Sequence, residues 1–295
     1  MSVILTGSGG KFKMWYLRKI PKLVHFYWGN DTLSFLRYLS IYSFQKFNPD
    51  WRIQFYYPAE RYQGERTWNS PEHTGKFHGQ NYLDRLENLN IEKIKLNFAD
   101  LGIDNQIPET FKSDMLRWYL LTHVGGIWSD MDILYFRPVD CLYFNLPVYQ
   151  ETDTVICLCE NDWYNYHPIG FLMSAPGNQY YQFVLKQSYA CMDLTKYQSI
   201  GNNMLRQTFP TLAAFKSKFP ALRVENLSLD VVYPLNDTQV PLIFHTGYMH
   251  YLTPRTIGLH WYAGHAATHE FENSLTEQTY RNYQNIISNL IREVL

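Results

Sequence analysis

A chain of 295 residues with 46% hydrophobic content carries enough apolar surface for one large domain, or two small ones, with a proper core. Its 26 basic residues against 27 acidic ones leave a net charge of −1, which excludes a global field that would draw it onto nucleic acid or an anionic membrane and leaves only local patches. Cys141, Cys157, Cys159 and Cys191 form no C-x-x-C pair, so neither a zinc ribbon nor a disulfide framework is indicated, and they read as small core residues of a reducing compartment.

The 17% aromatic content, with 24 tyrosines, suits a core of amphipathic rings as well as stacking on flat rings or sugar faces. The opening MSVILTGSGGKFKMWYLRKIPK lacks the apolar centre of a signal peptide, and no apolar run reaches the roughly 18 residues of a membrane span. The expectation is a soluble, cytoplasmic chain with no integral membrane segment, free to visit a membrane peripherally. On that expectation the sequons at Asn30, Asn226 and Asn236 are chance matches.

In chain order, KLVHFYWGN (22–30) is short, apolar and closed by turn residues, which predicts a buried strand. Asp31 is placed to cap a helix over TLSFLRYLSIYSFQKF, with Leu33, Leu36, Ser40 and Phe44 on one face and Asn48-Pro49 as the stop. WRIQFYYP then predicts a second strand, and a strand, helix and strand in so few residues form a βαβ unit with parallel strands. The polar stretch that follows, AERYQGERTWNSPEHTGKFHGQ and beyond, reads as a loop with short helices, followed by a strand at IEKIKLNF (91–98). After Pro108 the segment ETFKSDMLRWYLLTHVGG predicts a helix begun at Ser113 or just before, with Leu116, Leu120 and His123 or Val124 at helical spacing, ended by Gly125-Gly126. Short strands and helices continue to about residue 245. An amphipathic tail, SLTEQTYRNYQNIISNLIREVL, opens on a Ser274-x-x-Glu277 capping box and packs back on the domain.

The segment GGIWSDMDILYF (125–136) carries the chemistry. Residues two apart in a strand point the same way, so Asp130 and Asp132 are expected to project together from the carboxyl end of a sheet strand, beside Trp128, where α/β sheets bind ligands. A bare pair would raise one carboxyl pKa by repulsion, whereas a divalent cation favours both ionised forms. Few hard oxygen ligands with room for water suit Mg²⁺ or Mn²⁺ bound partly through substrate phosphates. From D-x-D alone, two solvated acids at the end of an edge strand remain an equal alternative.

The surroundings add a resemblance. SDMLRWYLLTHVGGIWSDMD joins S-D-x-x-R, a helix of fixed length, G-G-hydrophobic-aromatic and D-x-D, and IPKLVHFYWG precedes it. Together these resemble the DXD-containing glycosyltransferases: the mannosyl- and galactosyltransferases of family 32, capsular polysaccharide synthesis enzymes and the glucosylating bacterial toxins. The resemblance spans roughly residues 20 to 265 and is carried more by pattern than by identity in the middle.

It implies a GT-A fold: α/β, Rossmann-like, with a mixed, mainly parallel sheet flanked by helices and a helical C-terminal tail. One catalytic domain would occupy 1–295, with a nucleotide-sugar and metal half at 20–140, an acceptor half and closing loop at 141–270, and the C-terminal helix at 271–295. Carried over by position, Asp130 and Asp132 hold the metal, Mn²⁺ or Mg²⁺, and through it the donor diphosphate. Asp114 and Arg117 contact the donor sugar and phosphate side and complete the catalytic set with those two acids. Val24, His25, Phe26 and Trp28 meet the nucleotide base, and Trp128 and Ser129 line the donor pocket. The residue-level alternatives are an i,i+3 ion pair for Asp114 and Arg117 near a helix N-terminus, and core packing for His25 and Trp28.

A C-terminal echo, GLHWYAGHAATHE, offers His260 as the third metal ligand, with a neutral imidazole better suited to Mn²⁺ than to Mg²⁺. There His265-Ala266 replaces the Ser-Trp of the resembled proteins, and Ile169-Gly170-Phe171 replaces Asn-Gly-Phe, so polar contacts at both places differ. His265 and His269 lack the H-E-x-x-H arrangement of a zinc pair and read as surface histidines. QSIGNNML (198–205) reads as a loop with a polar helix start. The implied activity is metal-dependent transfer of a hexose from a nucleoside-diphosphate sugar, UDP-sugar favoured and GDP-sugar possible, to a hydroxyl of a glycan, lipid-linked or protein acceptor. Retention of configuration and a place in glycan or polysaccharide synthesis go with it. A metal-dependent nucleotide-sugar hydrolase or phosphoesterase, and an inactive carbohydrate-binding relative, are the rival classes.

Overall fold

The computed structural model describes residues 19–67, 77–144, 151–160 and 165–295. Strand β1 (Leu23–Tyr27) is buried at every position, as an apolar run in a sheet covered on both faces should be. Helix α1 (Phe35–Phe47) follows, and β2 (Arg52–Pro58) returns parallel to β1, with Leu23 opposite Arg52 and Tyr27 opposite Tyr56. The cap expected at Asp31 belongs instead to Ser34, whose hydroxyl accepts from the Arg37 N–H at 3.3 Å. Tertiary contacts delay the helix. The Trp28 indole donates to the Thr32 carbonyl (2.9 Å) and the Leu33 N–H to Asn81 Oδ1 (2.9 Å), while Asp31 pairs with Arg61. The stop at Asn48 is as expected: its side chain donates to the Phe44 carbonyl and accepts from the Val139 N–H.

Strand β3 (Glu92–Leu96) adds in parallel beside β2. Helix α2 (Glu109–His123) starts directly after Pro108, about one turn before the expected Ser113 start, because a helix start tolerates the missing proline N–H and uses its preset φ. Asp114 and Arg117 therefore sit in mid-helix, and the first-turn acid is Glu109. Gly125 and Gly126, at φ 72° and 95°, end α2 and open β4 (Gly126–Ser129). A Cβ on Gly126 would stand 2.5 Å from the Leu23 carbonyl oxygen, so glycine here provides both the left-handed backbone and the approach of β4 to β1.

The strand predicted to run through both aspartates ends at Ser129; residues 130–132 form a turn before β5 (Ile133–Tyr135). Asp130 still donates its N–H to the Gly170 carbonyl (2.8 Å), but the Met131 carbonyl is taken by Ser40 and the Tyr135 N–H by Ser43, each at 3.0 Å. Those two buried serines of α1 draw the chain out of the sheet. The shared direction of Asp130 and Asp132 thus comes from a turn, not from strand alternation.

The remaining elements are α3 (Cys141–Phe144), β6 (Thr154–Ile156), β7 (Cys159–Glu160), β8 (Asn165–Tyr166), β9 (Phe171–Ser174), α4 (Gln179–Cys191), α5 (Asn202–Thr208), α6 (Leu212–Lys218), β10 (Val224–Asn226), α7 (Val240–His245), β11 (Gly258–His260), α8 (Ala266–Ser274) and α9 (Ile286–Val294). The central sheet runs β10-β6-β9-β4-β1-β2-β3 and is mixed but mainly parallel, with β9 alone running against its neighbours. β5 pairs antiparallel with β11 in a separate ribbon, Ile133 opposite His260. Alternation along the strands feeds two cores. Val24, Phe26, Ile127, Phe171 and Met173 pack with α1, α7 and α9, while Tyr27, Trp128 and Leu172 pack with α2 and α4.

The tail packs back as expected but is not capped at Ser274. Ser274 closes α8, Glu277 pairs with Arg85, and Asn285 caps α9 by accepting from the Ser288 N–H at 2.9 Å. The four cysteines are free. Among the described residues no helix is long and apolar enough to cross a membrane.

Candidate active site

The 130–132 turn opens into a cavity of ≈ 870 Å³ whose walls come from the end of β1, the start of α1, α2, the turn itself, and the 263–273 segment. Such a volume matches a small-molecule or cofactor pocket. Asp130 is held from the α2 side. Arg117 donates from Nη2 to Asp130 Oδ1 (2.8 Å) and from Nη1 to Asp114 Oδ1 (2.7 Å), and the Trp128 indole N–H reaches the same Asp130 oxygen at 2.7 Å. The guanidinium carbon lies 5.0 Å from the Trp128 ring centroid. Arg117 is 3% exposed. Burial acts to lower its pKa, but the charges of Asp130 and Asp114 outweigh it and raise the pKa above its ordinary value. Gly170 leaves this carboxylate room: a Cβ there would stand 2.7 Å from Asp130 Oδ2.

Asp132 is held from the opposite side. His260 Nε2 lies 3.1 Å from Oδ1, and the Ala263 N–H donates to Oδ2 at 3.0 Å. Tyr262, at φ 52°, takes a left-handed conformation uncommon for so bulky a residue just before the Ala263 N–H, a local strain of the kind that clusters at functional sites. Desolvation works to raise the Asp132 pKa, yet the charge and hydrogen bond of His260, the Arg37 charge and the Ala263 N–H hold it well below the carboxylate range. For His260 burial works downward, and the Asp132 charge and hydrogen bond with the Asp130 charge overcome it, so its pKa is raised.

Asp130, Asp132 and His260 each present one donor atom, all within 4.8 Å of one another. Two carboxylate oxygens and an imidazole nitrogen are a donor set for a divalent ion such as Mn²⁺. His260 Nδ1 is buried with no hydrogen-bond partner, so among the described residues the side chain's hydrogen bonding is to Asp132, within the cluster itself. These residues fit a metal.

The structure brings Asp114, Arg117, Trp28, Trp128, Asp130 and Asp132 to the cavity wall. Val24, His25 and Phe26 are fully buried within β1, and the cavity instead meets the next residues, Tyr27 to Asp31. His25 Nε2–H donates to the Gly125 carbonyl (2.8 Å), and burial lowers its pKa to about 4, so it is a neutral core histidine. Ser129 is buried against the Tyr135 hydroxyl at 2.8 Å. The surface reading of His265 and His269 is corrected: His265 caps α8, its Nδ1 accepting from the Ala267 N–H (3.1 Å), and His269 lines the cavity. From the 198–205 segment Gln198 reaches the cavity, as does Tyr197 just before it, while Gly201 precedes α5 as a helix start.

Sequence reasoning missed three further groups. Glu109 lines the cavity, accepting from the buried Lys112 ammonium and the Tyr62 N–H (both 2.8 Å) and from the Tyr27 hydroxyl. Arg37 and Glu272 join the start of α1 to α8 through an Nε to Oε1 hydrogen bond of 2.7 Å. Arg37 stands in the first turn only because α1 starts at Phe35; with the cap expected at Asp31 it fell in the second turn, so its position gave no signal.

No protein-family model and no curated protein matches the chain. Among solved structures, the PaToxG glycosyltransferase is 15% identical with a TM-score of 0.44, over 68% of this chain and 75% of that one. The galactosyltransferase LgtC, solved with donor and acceptor sugar analogues, is 13% identical with a TM-score of 0.41, over 88% and 99%. The apo glycosyltransferase GlyE of Streptococcus pneumoniae TIGR4 is 12% identical with a TM-score of 0.45, over 92% of this chain and 62% of its own. With TM-scores below 0.5, the residues of the site carry the functional reading.

Proposed function

We propose that the protein is a metal-dependent glycosyltransferase that moves a sugar from a nucleoside-diphosphate sugar to an acceptor hydroxyl. The observation that carries this reading is the convergence of Asp130, Asp132 and His260 within 4.8 Å beside a cavity of ≈ 870 Å³. A divalent ion bound there, Mn²⁺ or Mg²⁺, supplies positive charge to the diphosphate leaving group. Arg117 orients Asp130 through its Nη2 hydrogen bond, and the Ala263 N–H orients Asp132. The rigid indole of Trp128 fixes the shared oxygen of Asp130 and leaves the other free for a ligand. In transfer, the acceptor oxygen bonds to the anomeric carbon while the bond from that carbon to the phosphate oxygen breaks, and the hydroxyl proton passes to the departing diphosphate. Retention follows if attack comes from the leaving-group side.

In this reading residues 20–140 hold the donor and 141–270 the acceptor, with His260 and Ala263 closing the donor site from the later part of the chain. UDP-sugars are the favoured donors and GDP-sugars the second choice; the acceptor is a glycan, a lipid-linked sugar or a protein. Calorimetric titration of UDP-, GDP- and CDP-sugars with and without Mn²⁺ tests the donor class. Product analysis with and without acceptor sugars separates transfer from hydrolysis. Failure of every nucleotide sugar to bind in the presence of either metal would end the proposal.

A further inference from the structure

Two arginines line the cavity, and they are tied down differently. Arg117 commits Nη1 to Asp114 and Nη2 to Asp130, which uses both ends of its fork on the protein. Arg37 commits only Nε, to Glu272, and among the described residues neither of its Nη atoms has a hydrogen-bond partner. The Arg37 guanidinium carbon lies 4.2 Å from the Trp28 ring centroid and 5.4 Å from that of Trp261, so the plane is held without using its outer donors. The side chain is 16% exposed, which leaves those donors a path to the cavity.

Arg37 also stands where helix energetics disfavour it. It is in the first turn of the 13-residue α1, at the positive end of the helix, where α1 has no acid of its own and Glu272 of α8 supplies the counter-charge. A cation in that position adds to the positive end of the helix, and both face the cavity that holds Asp132. We propose that Arg37 is the anion-binding arginine of this cavity, its two Nη groups taking phosphate oxygens of a nucleoside diphosphate, while Arg117 is a positioning residue for Asp130. The planar fork suits phosphate, and the Trp28 and Trp261 rings set its plane. This inference rests on the glycosyltransferase reading for the identity of the anion.

The test is calorimetric titration of the full chain with inorganic pyrophosphate, UDP and GDP in the presence of Mn²⁺, alongside titration with Mn²⁺ alone. Arg37→Gln is expected to weaken pyrophosphate and nucleoside diphosphates at least tenfold and to flatten their salt dependence, with Mn²⁺ affinity kept within about threefold. Glu272→Gln removes the ion pair that joins α1 to α8 but leaves the arginine, and is expected to bind pyrophosphate at least as tightly as the wild type. Arg37→Gln binding pyrophosphate as the wild type does, or Glu272→Gln losing tenfold, would overturn the assignment; the second variant decides it even if the first does not fold. A wild-type protein that binds neither pyrophosphate nor any nucleoside diphosphate with Mn²⁺ overturns the glycosyltransferase reading as well. Hydrolysis without transfer, with the Arg37 effect intact, overturns that reading alone.

Discussion

The two carboxylates of one short turn are neutralised by two different kinds of structure. Asp130 is held by Arg117, 13 residues away, and by Trp128, two away. Asp132 is held by His260 and by the Ala263 N–H, 131 residues away, with Arg37 contributing its charge. The first network comprises one helix, one strand and the turn between them. The second exists only after β11 has paired with β5 and α8 has packed on α1. One acid is therefore fixed by local structure and the other by closure of the chain, and the candidate metal site lies where the two meet.

The largest expected effect removes the meeting itself. Asp130→Asn and Asp132→Asn should each reduce metal-dependent transfer by more than about a hundredfold, and a chelator should do the same to the wild type, with Mn²⁺ restoring activity. Steady-state assay of sugar transfer with matched Mn²⁺ titrations checks this. Full activity in either variant would break the comparison, because one acid would then be structural only.

Next in size is the difference between the supports. Arg117→Ala leaves Asp114 and Asp130 facing each other without their cation, and loss of a buried ion-pair partner costs about 3–5 kcal/mol. His260→Ala leaves Asp132 with the Ala263 N–H and the Arg37 field and should cost about 1–3 kcal/mol, while still reducing Mn²⁺ affinity. Denaturant unfolding of both variants measures the gap, and equal costs would mean that the local and long-range networks are equally integral to the fold.

This division also explains what was legible in the sequence. Spacing alone made Asp130 and Asp132 readable as a pair beside Trp128 and Asp114 with Arg117 as a same-face pair; that these belong to one site came from the resemblance. His260 was likewise readable only through resemblance, since nothing in its local sequence points to Asp132. Arg37, Glu272 and Glu109 were not found because their partners come from other elements. The turn at 130–132 was missed for a related reason: Ser40 read as one more member of a helix face and Ser43 was not singled out, whereas their hydroxyls bond the chain on either side of Asp132 and bend it away from the sheet.

Acid should loosen the local side. His25 fastens β1 to the Gly125 carbonyl at the junction of α2 and β4 and is neutral when folded, with a pKa lowered to about 4 by burial from an ordinary 6.5. Its folded value lies below its unfolded one, so the unfolded chain binds the extra proton. The contribution is complete above pH 6.5, falls as pH drops toward 4, and is flat below that. The shift corresponds to about 3 kcal/mol. Unfolding free energies measured from pH 7 to 4 should show this slope, and His25→Gln should flatten it; an unchanged slope would move the acid sensitivity elsewhere.

The smallest effect falls on the long-range side, at the start of α1. The Ser34 hydroxyl accepts from the Arg37 N–H and donates to Glu272 Oε1 at 2.8 Å, so one small side chain both caps the helix and orients the carboxylate behind Arg37. Asp31, the residue whose type and position suggested the cap, is occupied with Arg61 at the surface. Ser34→Ala should therefore cost about 1 kcal/mol, in the range of a lost N-cap, and Asp31→Ala within about 0.5 kcal/mol of nothing. Thermal unfolding of the pair decides between them: a larger loss at Asp31 would return the cap to where composition placed it, and would leave Glu272 oriented by Arg37 alone.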